Sequence, residues 1–131
     1  MASWNGLRSF IESNFKLMDH STDTFLRMVF AFDDGRTQLC LVALKVQESD
    51  GEEWVAISSP IGPVAKINVA RAAEMAFDIV CGGIVVIGDL AYLHHSAPLL
   101  NLDTNEFMRP LNVISGQADE IEKALVGGDD Y

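Results

Sequence analysis

The residues that could do chemistry in this chain are His94-His95-Ser96, the glycine pair Gly82-Gly83, acidic turns at Asp33-Asp34 and Asp50-Gly51-Glu52-Glu53, and the cysteines Cys40 and Cys81. Adjacent histidines on a strand point to opposite faces, so His94 and His95 cannot jointly hold one metal ion. His20 falls in a turn, and no cysteine or carboxylate completes a ligand set at a usual spacing. Ser96 beside His95 pairs a nucleophile with a base on paper, but strand neighbours diverge and no G-x-S-x-G elbow surrounds them. Gly82-Gly83 precedes a strand, the reverse of the strand-glycine-helix order that cradles a phosphate. The acidic turns lack the repeated ligand spacing of a calcium loop. Cys40 and Cys81 have no C-x-x-C spacing and read as buried free thiols. The expectation is a protein with no catalytic residues, no metal and no cofactor.

Composition narrows the partners. The chain has 131 residues, and nearly half are apolar despite a net charge of -10, so it can bury a core without disulfides or metals as one domain over residues 1–131. With 19 acidic residues against 9 basic ones and no basic cluster, its long-range field repels phosphate backbones and anionic headgroups. Neither nucleic acid nor membrane is an expected partner. The start, Met1-Ala2-Ser3-Trp4-Asn5-Gly6, lacks a basic region followed by a long apolar run, and Ile84-Val85-Val86-Ile87 is too short to span a bilayer. A cytoplasmic location is expected.

These residues need elements to hold them. Trp4, Leu7, Ile11, Phe15 and Met18 recur at intervals of three and four, which predicts an amphipathic helix over residues 3–18 with Ser3 as N-cap. A strand over 24–32 follows, with Leu26, Met28, Phe30 and Phe32 on one face and Arg27 on the other. Asp33-Asp34-Gly35-Arg36 predicts a hairpin whose two central turn residues have positive φ. The second strand, 37–47, is apolar on both faces, so it is covered on both sides or on one side plus a partner. A third strand over 54–59 ends at Pro60. Val64 to Val80 resumes helical spacing and ends at Cys81-Gly82-Gly83. Ile84 to Ile87 and Leu90 to about Leu100 form a hairpin through a type II′ turn at Gly88-Asp89.

The last helix announces itself most firmly. Asp103 as N-cap and Glu106 three residues later form a capping box, and Leu102 with Phe107 has the spacing of a hydrophobic staple. Phe107, Leu111, Ile114, Ala118, Ile121 and Leu125 make its apolar stripe, with Asp119, Glu120 and Glu122 outside it. Pro110 is expected to kink the helix or tighten its first turn. Gly127-Gly128 stops it, and Asp129-Asp130-Tyr131 reads as a frayed tail. The order α-β-β-β-α-β-β-α makes an α+β single domain, an antiparallel sheet with flanking helices.

Apolar residues on both faces of the second strand and nearly all round the second helix exceed what one core of this size needs, and such excess marks an interface. Val42, Leu44, Val46, Ile67, Ala70 and Phe77 are the candidate interface or peptide-binding residues.

The element order resembles the fold of class I type III secretion chaperones and of the YbjN family. The residues that carry the resemblance, toward YbjN-type proteins, are Gly88-Asp89, Ala97-Pro98-Leu99, Leu102-Asp103, Glu106-Phe107 and Pro110-Leu111. The resemblance implies a dimeric, non-enzymatic domain with a chaperone-like or regulatory role and a peptide-binding surface. The expected partners are a second copy of the chain and a protein or peptide segment not identified by the sequence. The alternatives are a structural subunit of a larger complex, or a small-molecule-binding or enzymatic domain using a pocket near His94 and His95.

Overall fold

The computed structural model describes residues 3–126; the expected stop at Gly127-Gly128 and the tail beyond it lie outside the described residues. The elements run α1 (Trp4–Asn14), β1 (Phe25–Ala31), β2 (Thr37–Val46), β3 (Glu53–Pro63), α2 (Val69–Phe77), β4 (Gly83–Ile87), β5 (Leu90–Pro98) and α3 (Thr104–Leu125). This is the α+β order read from the sequence. All strand pairs are antiparallel and the sheet order is β1-β2-β3-β5-β4. The chain leaves β3, passes through α2 to the far edge as β4, and returns as β5 into the gap.

Strand register sorts the side chains into two faces. Leu26, Val42, Ile57 and His95 stand opposite one another across the sheet, and so, one residue along, do Arg27, Leu41, Ser58, His94 and Gly83. The helices cover the first of these faces. Leu7 and Ile11 of α1, Ala72 of α2, and Phe107, Leu111, Ile114 and Ile121 of α3 are buried there with Leu26, Met28, Val42, Ile57 and Leu93. Phe10 meets Phe107 edge-on at 6.4 Å and Phe15 meets Phe30 at 5.8 Å, which ties α1 to α3 and to β1.

Several boundaries differ from the sequence reading, each for a local reason. α1 stops at Asn14, where Phe15 turns extended to reach Phe30, and Met18 then donates its amide to Arg27 O along the outer edge of β1. The first hairpin uses a three-residue loop: Phe32 O accepts from Gly35 N, Phe32 N donates to Arg36 O, and among Asp33, Asp34 and Gly35 it is the glycine that takes the left-handed conformation, φ 83°. β3 runs past Pro60 to Pro63 through a register shift between Pro60 and Gly62. There the ladder to β2 gives way to side chains, Gln38 Nε2 donating to Ser59 Oγ and Pro60 O, and Ser59 Oγ to Leu39 O. After β3 the chain turns, Lys66 N and Ile67 N both donating to Pro63 O, so α2 begins only at Val69, capped by Asn68, and it ends at Phe77 rather than Val80.

α3 has the predicted start. Asp103 Oδ1 accepts from Glu106 N and Glu106 Oε1 from Asp103 N, while Leu102 and Phe107 are both buried. The helix continues through Pro110 to Leu125. The expectation that Asp119 and Glu122 lie outside its buried stripe is corrected: both are buried, and Arg36 from the first hairpin meets them, Nε at 2.9 Å from Asp119 and a terminal nitrogen at 3.5 Å from Glu122. Two carboxylates out of water need that guanidinium.

The two ends of α3 are therefore held by different forces, and each can be weakened separately. Asp103→Ala should lower stability by about 1 kcal/mol through the lost cap. Arg36→Met, which takes the guanidinium away from the two buried carboxylates, should cost about 3–5 kcal/mol. Urea midpoints at an unchanged slope check both, and an Arg36→Met loss no larger than that of Asp103→Ala would contradict the second.

Candidate functional site

Among the described residues, no helix packs on the second face of the sheet. Its floor is small and apolar: Phe25, Ala43, Ala56 and Ser96 form one row, and the short side chains of Ala43 and Ala56 leave a trough beside the bulkier Leu41 and Tyr92. Two depressions, of about 620 Å³ and about 350 Å³, share Phe25, Leu41 and Tyr92 in their linings and so form one continuous hollow. Phe25, Val29 and Ile87 on this face are 37%, 46% and 62% exposed. Large apolar side chains this open and this close together mark a binding surface more often than chance exposure does.

A polar strip crosses the middle of the hollow. His94 Nδ1 lies 2.7 Å from Ser58 Oγ across the strand pair and Nε2 lies 3.2 Å from Ser96 Oγ two residues along. Burial, then the nearby Lys45 charge and then His95, hold the His94 imidazole below its ordinary value. The ring is neutral near pH 7, and a neutral ring has one donor and one acceptor, which the two hydroxyls occupy. A catalytic dyad would need a third group to orient the ring toward one hydroxyl; here both ring nitrogens are spoken for by serines. His95 faces the helices, as the strand alternation requires, and burial lowers its pKa too.

Other groups are less available for chemistry. Cys40 is fully buried and its thiol is pushed up to about 12 by desolvation, and partial burial raises that of Cys81. Among the described residues, no group of three or more histidines, cysteines and carboxylates is placed to hold a metal ion.

The six interface candidates do not come together. Val42 and Ile67 are buried in the core at 0% and 9% exposure, Leu44 packs partly against it, Val46 is exposed on β2, and Ala70 and Phe77 are exposed two turns apart on α2. The strand assignment failed by one residue. On β2 it is Leu39, Leu41 and Ala43 that face outward, while Val42 and Leu44 face the helices. Phe25, Val29 and Tyr92 went unnoticed; the outward position of Arg27 was the available signal, because it puts Phe25 and Val29 on the same side.

A second apolar exposure lies at the end of α2 and the sheet edge beside it. Phe77 and Val80 are each 89% exposed, Val86 49% and Ile87 62%. The two sheet edges differ. β1 is blunted by the chain before it, with Met18 N on Arg27 O, Thr22 N on Phe25 O and Ser21 Oγ on Arg27 N. β4 pairs with β5, and among the described residues nothing hydrogen-bonds its outer side.

No protein-family model matches the chain, and no curated protein is significantly similar to it. What the surface can do is therefore argued from its geometry.

The lowered histidines make stability depend on pH. Their folded pKa values lie below the ordinary 6.5, so the unfolded chain takes up protons first as pH falls. The stabilisation is fully present above that value and declines as pH drops from it toward the folded values. Urea midpoints measured between about pH 7.5 and 5 should show a smaller decline for His94→Gln/His95→Gln than for the parent chain; identical profiles would contradict the assignment.

Proposed function

We propose that this chain is a non-enzymatic binding module that takes up a segment of another protein, in a chaperone-like or regulatory role, and works as a homodimer in the cytoplasm. The observation that carries the reading is the sheet face left without helices, apolar and hollow where a second layer would normally lie. The resemblance of the element order and short motifs to YbjN-type proteins and type III secretion chaperones supports the same role. Fold likeness by itself does not decide function, so the surface bears the weight. The charge of -10 disfavours nucleic acid and anionic membranes, and among the described residues no helix is long and apolar enough to cross a bilayer.

The edge at β4 supports the dimer. The Gly88-Asp89 turn closes on the pair Ile87 and Leu90, which makes that pair the hydrogen-bonded one, so the backbone groups of Ile84 and Val86 point away from the sheet. A two-fold axis at Val85 would set Ile84 of one copy against Val86 of the other, extend the sheet, and bring Phe77 and Val80 of both copies to the seam. The strand Gly83–Ile87 carries no charged residue, so two acidic chains can approach there without like charges meeting.

Light scattering over a range of concentrations tests the dimer. The parent chain should show twice the monomer mass, and Phe77→Asp/Val80→Asp, at positions each 89% exposed, should shift it to monomer while its far-ultraviolet circular dichroism stays that of the folded chain. A strict monomer for the parent chain removes the dimer from the proposal. Binding is tested by an array of short peptides of diverse sequence probed with the purified chain; capture of none of them would remove the module reading.

A further inference from the structure

Building on the binding-module reading, we infer that the uncovered sheet face docks an amphipathic helix whose apolar stripe is flanked by acidic side chains. The first observation is charge. In a chain with 19 acidic and 9 basic residues, the outward positions of the described strands carry Arg27, Lys45 and His94 and no aspartate or glutamate. Asp19, which lines a hollow beside Arg27 and Val29, stands at the β1 rim, and Asp89 lies in the turn between β4 and β5. Arg8, Arg36 and Arg71 each engage a carboxylate elsewhere. Arg27 instead spends one N–H on Asp19 O, and neither it nor Lys45 makes an ion pair among the described residues. Both can still receive a carboxylate.

The second observation is placement. Arg27 is on β1 and Lys45 on β2, and their backbone positions are separated by four residues along the strands and one strand across, about 14 Å. The Phe25 and Ala43 row runs between them. An apolar stripe seated in the trough over Ala43 and Ala56 would thus have a cation on either side of it. That spacing is close to the diameter of a helix with its side chains, about 10–12 Å. The polar strip of Ser58, His94 and Ser96 is already hydrogen-bonded within itself, so covering it leaves no group stranded.

The same charges argue against a second copy on this face. A face-to-face dimer would press two sets of Arg27 and Lys45 together with no carboxylate to answer them, in a seam closed to water. The chain's overall negative charge opposes an acidic partner at long range, but at physiological salt screening confines that field to about 8 Å, whereas the two cations sit at the trough itself.

The test uses the whole chain and synthetic peptides of about 18 residues, five helical turns, with one leucine and phenylalanine stripe. One carries glutamate flanks, one lysine flanks, and one glutamate flanks with the stripe changed to serine. Binding is read by anisotropy of a labelled peptide. The glutamate peptide should bind about tenfold more tightly than the lysine peptide, the serine control should not bind, and Arg27→Glu/Lys45→Glu should reverse the preference with little change in melting temperature. Equal affinity for both flanks, a parent preference for lysine, or full binding by Phe25→Asp, at the position that stands in the trough row, overturns the inference. So does a parent dimer that Val29→Asp converts to monomer, since the face would then belong to a second copy. Capture of array peptides that lack acidic flanks would overturn this inference while leaving the module reading intact; capture of none would remove both.

Discussion

The contact of α3 with the sheet is the interaction on which the rest of the molecule depends. Phe107, Leu111, Ile114, Ala118 and Ile121 enter the core together, and burying each large side chain contributes about 1.5–3 kcal/mol. The capping box fixes one end of the helix and the Arg36 carboxylate pair the other. α1 and α2 pack beside it on the same face, the former through Phe10 and the latter through Ala72 and Ala76. Once the described helices have gone to one side, strand alternation delivers every second side chain of an apolar sheet to the other side, where no described helix covers it. The open face is a consequence of where α3 lies.

The ionic end of α3 is more than an anchor. Arg36 closes the loop between β1 and β2, and its partners are 83 and 86 residues further on. A buried pair of this kind contributes modestly to stability when intact and punishes its own disruption heavily, which suits it to fixing how the helix end sits over the first hairpin. Gln38 and Ser59 form a separate buried polar group in the sheet, where they stand in for ladder bonds that β3 loses beside Pro60.

Much of this was legible in the sequence where local chemistry dictates backbone shape. Asp103 with Glu106 and Gly88-Asp89 each mark an element boundary by a mechanism that works within a few residues, and the structure has its elements there, whereas the helix expected to run to Val80 and end at Cys81-Gly82-Gly83 stops at Phe77. What was not legible depends on distant partners. β2 is apolar on both faces, so its own pattern cannot tell whether Val42 or Leu41 meets the helices; register with β1 and β3 decides it, and a shift of one residue exchanges the faces completely. Asp119 and Glu122 look like solvent residues until Arg36 is found opposite them. Val64 to Ile67 have helical spacing, but they form the turn that follows the strand, Lys66 N and Ile67 N donating to Pro63 O, and the helix starts only after it.

The two exposed apolar regions differ in a way that separates their roles. The edge formed by β4 is an uncharged strand whose outer backbone groups meet no partner among the described residues, so a partner strand could hydrogen-bond there and an identical chain would meet no like charge. The broad face offers no free backbone edge, since its strands are paired on both sides except at the rims; it can hold a partner through shape and side-chain chemistry only. Its cations make it the wrong surface for a second copy and a suitable one for an acidic segment, while the self-satisfied Ser58, His94 and Ser96 strip lets it be covered without loss. A chain that used its edge for itself would keep this face open for something else, and the two interactions could then be made at once because they draw on different parts of the same sheet.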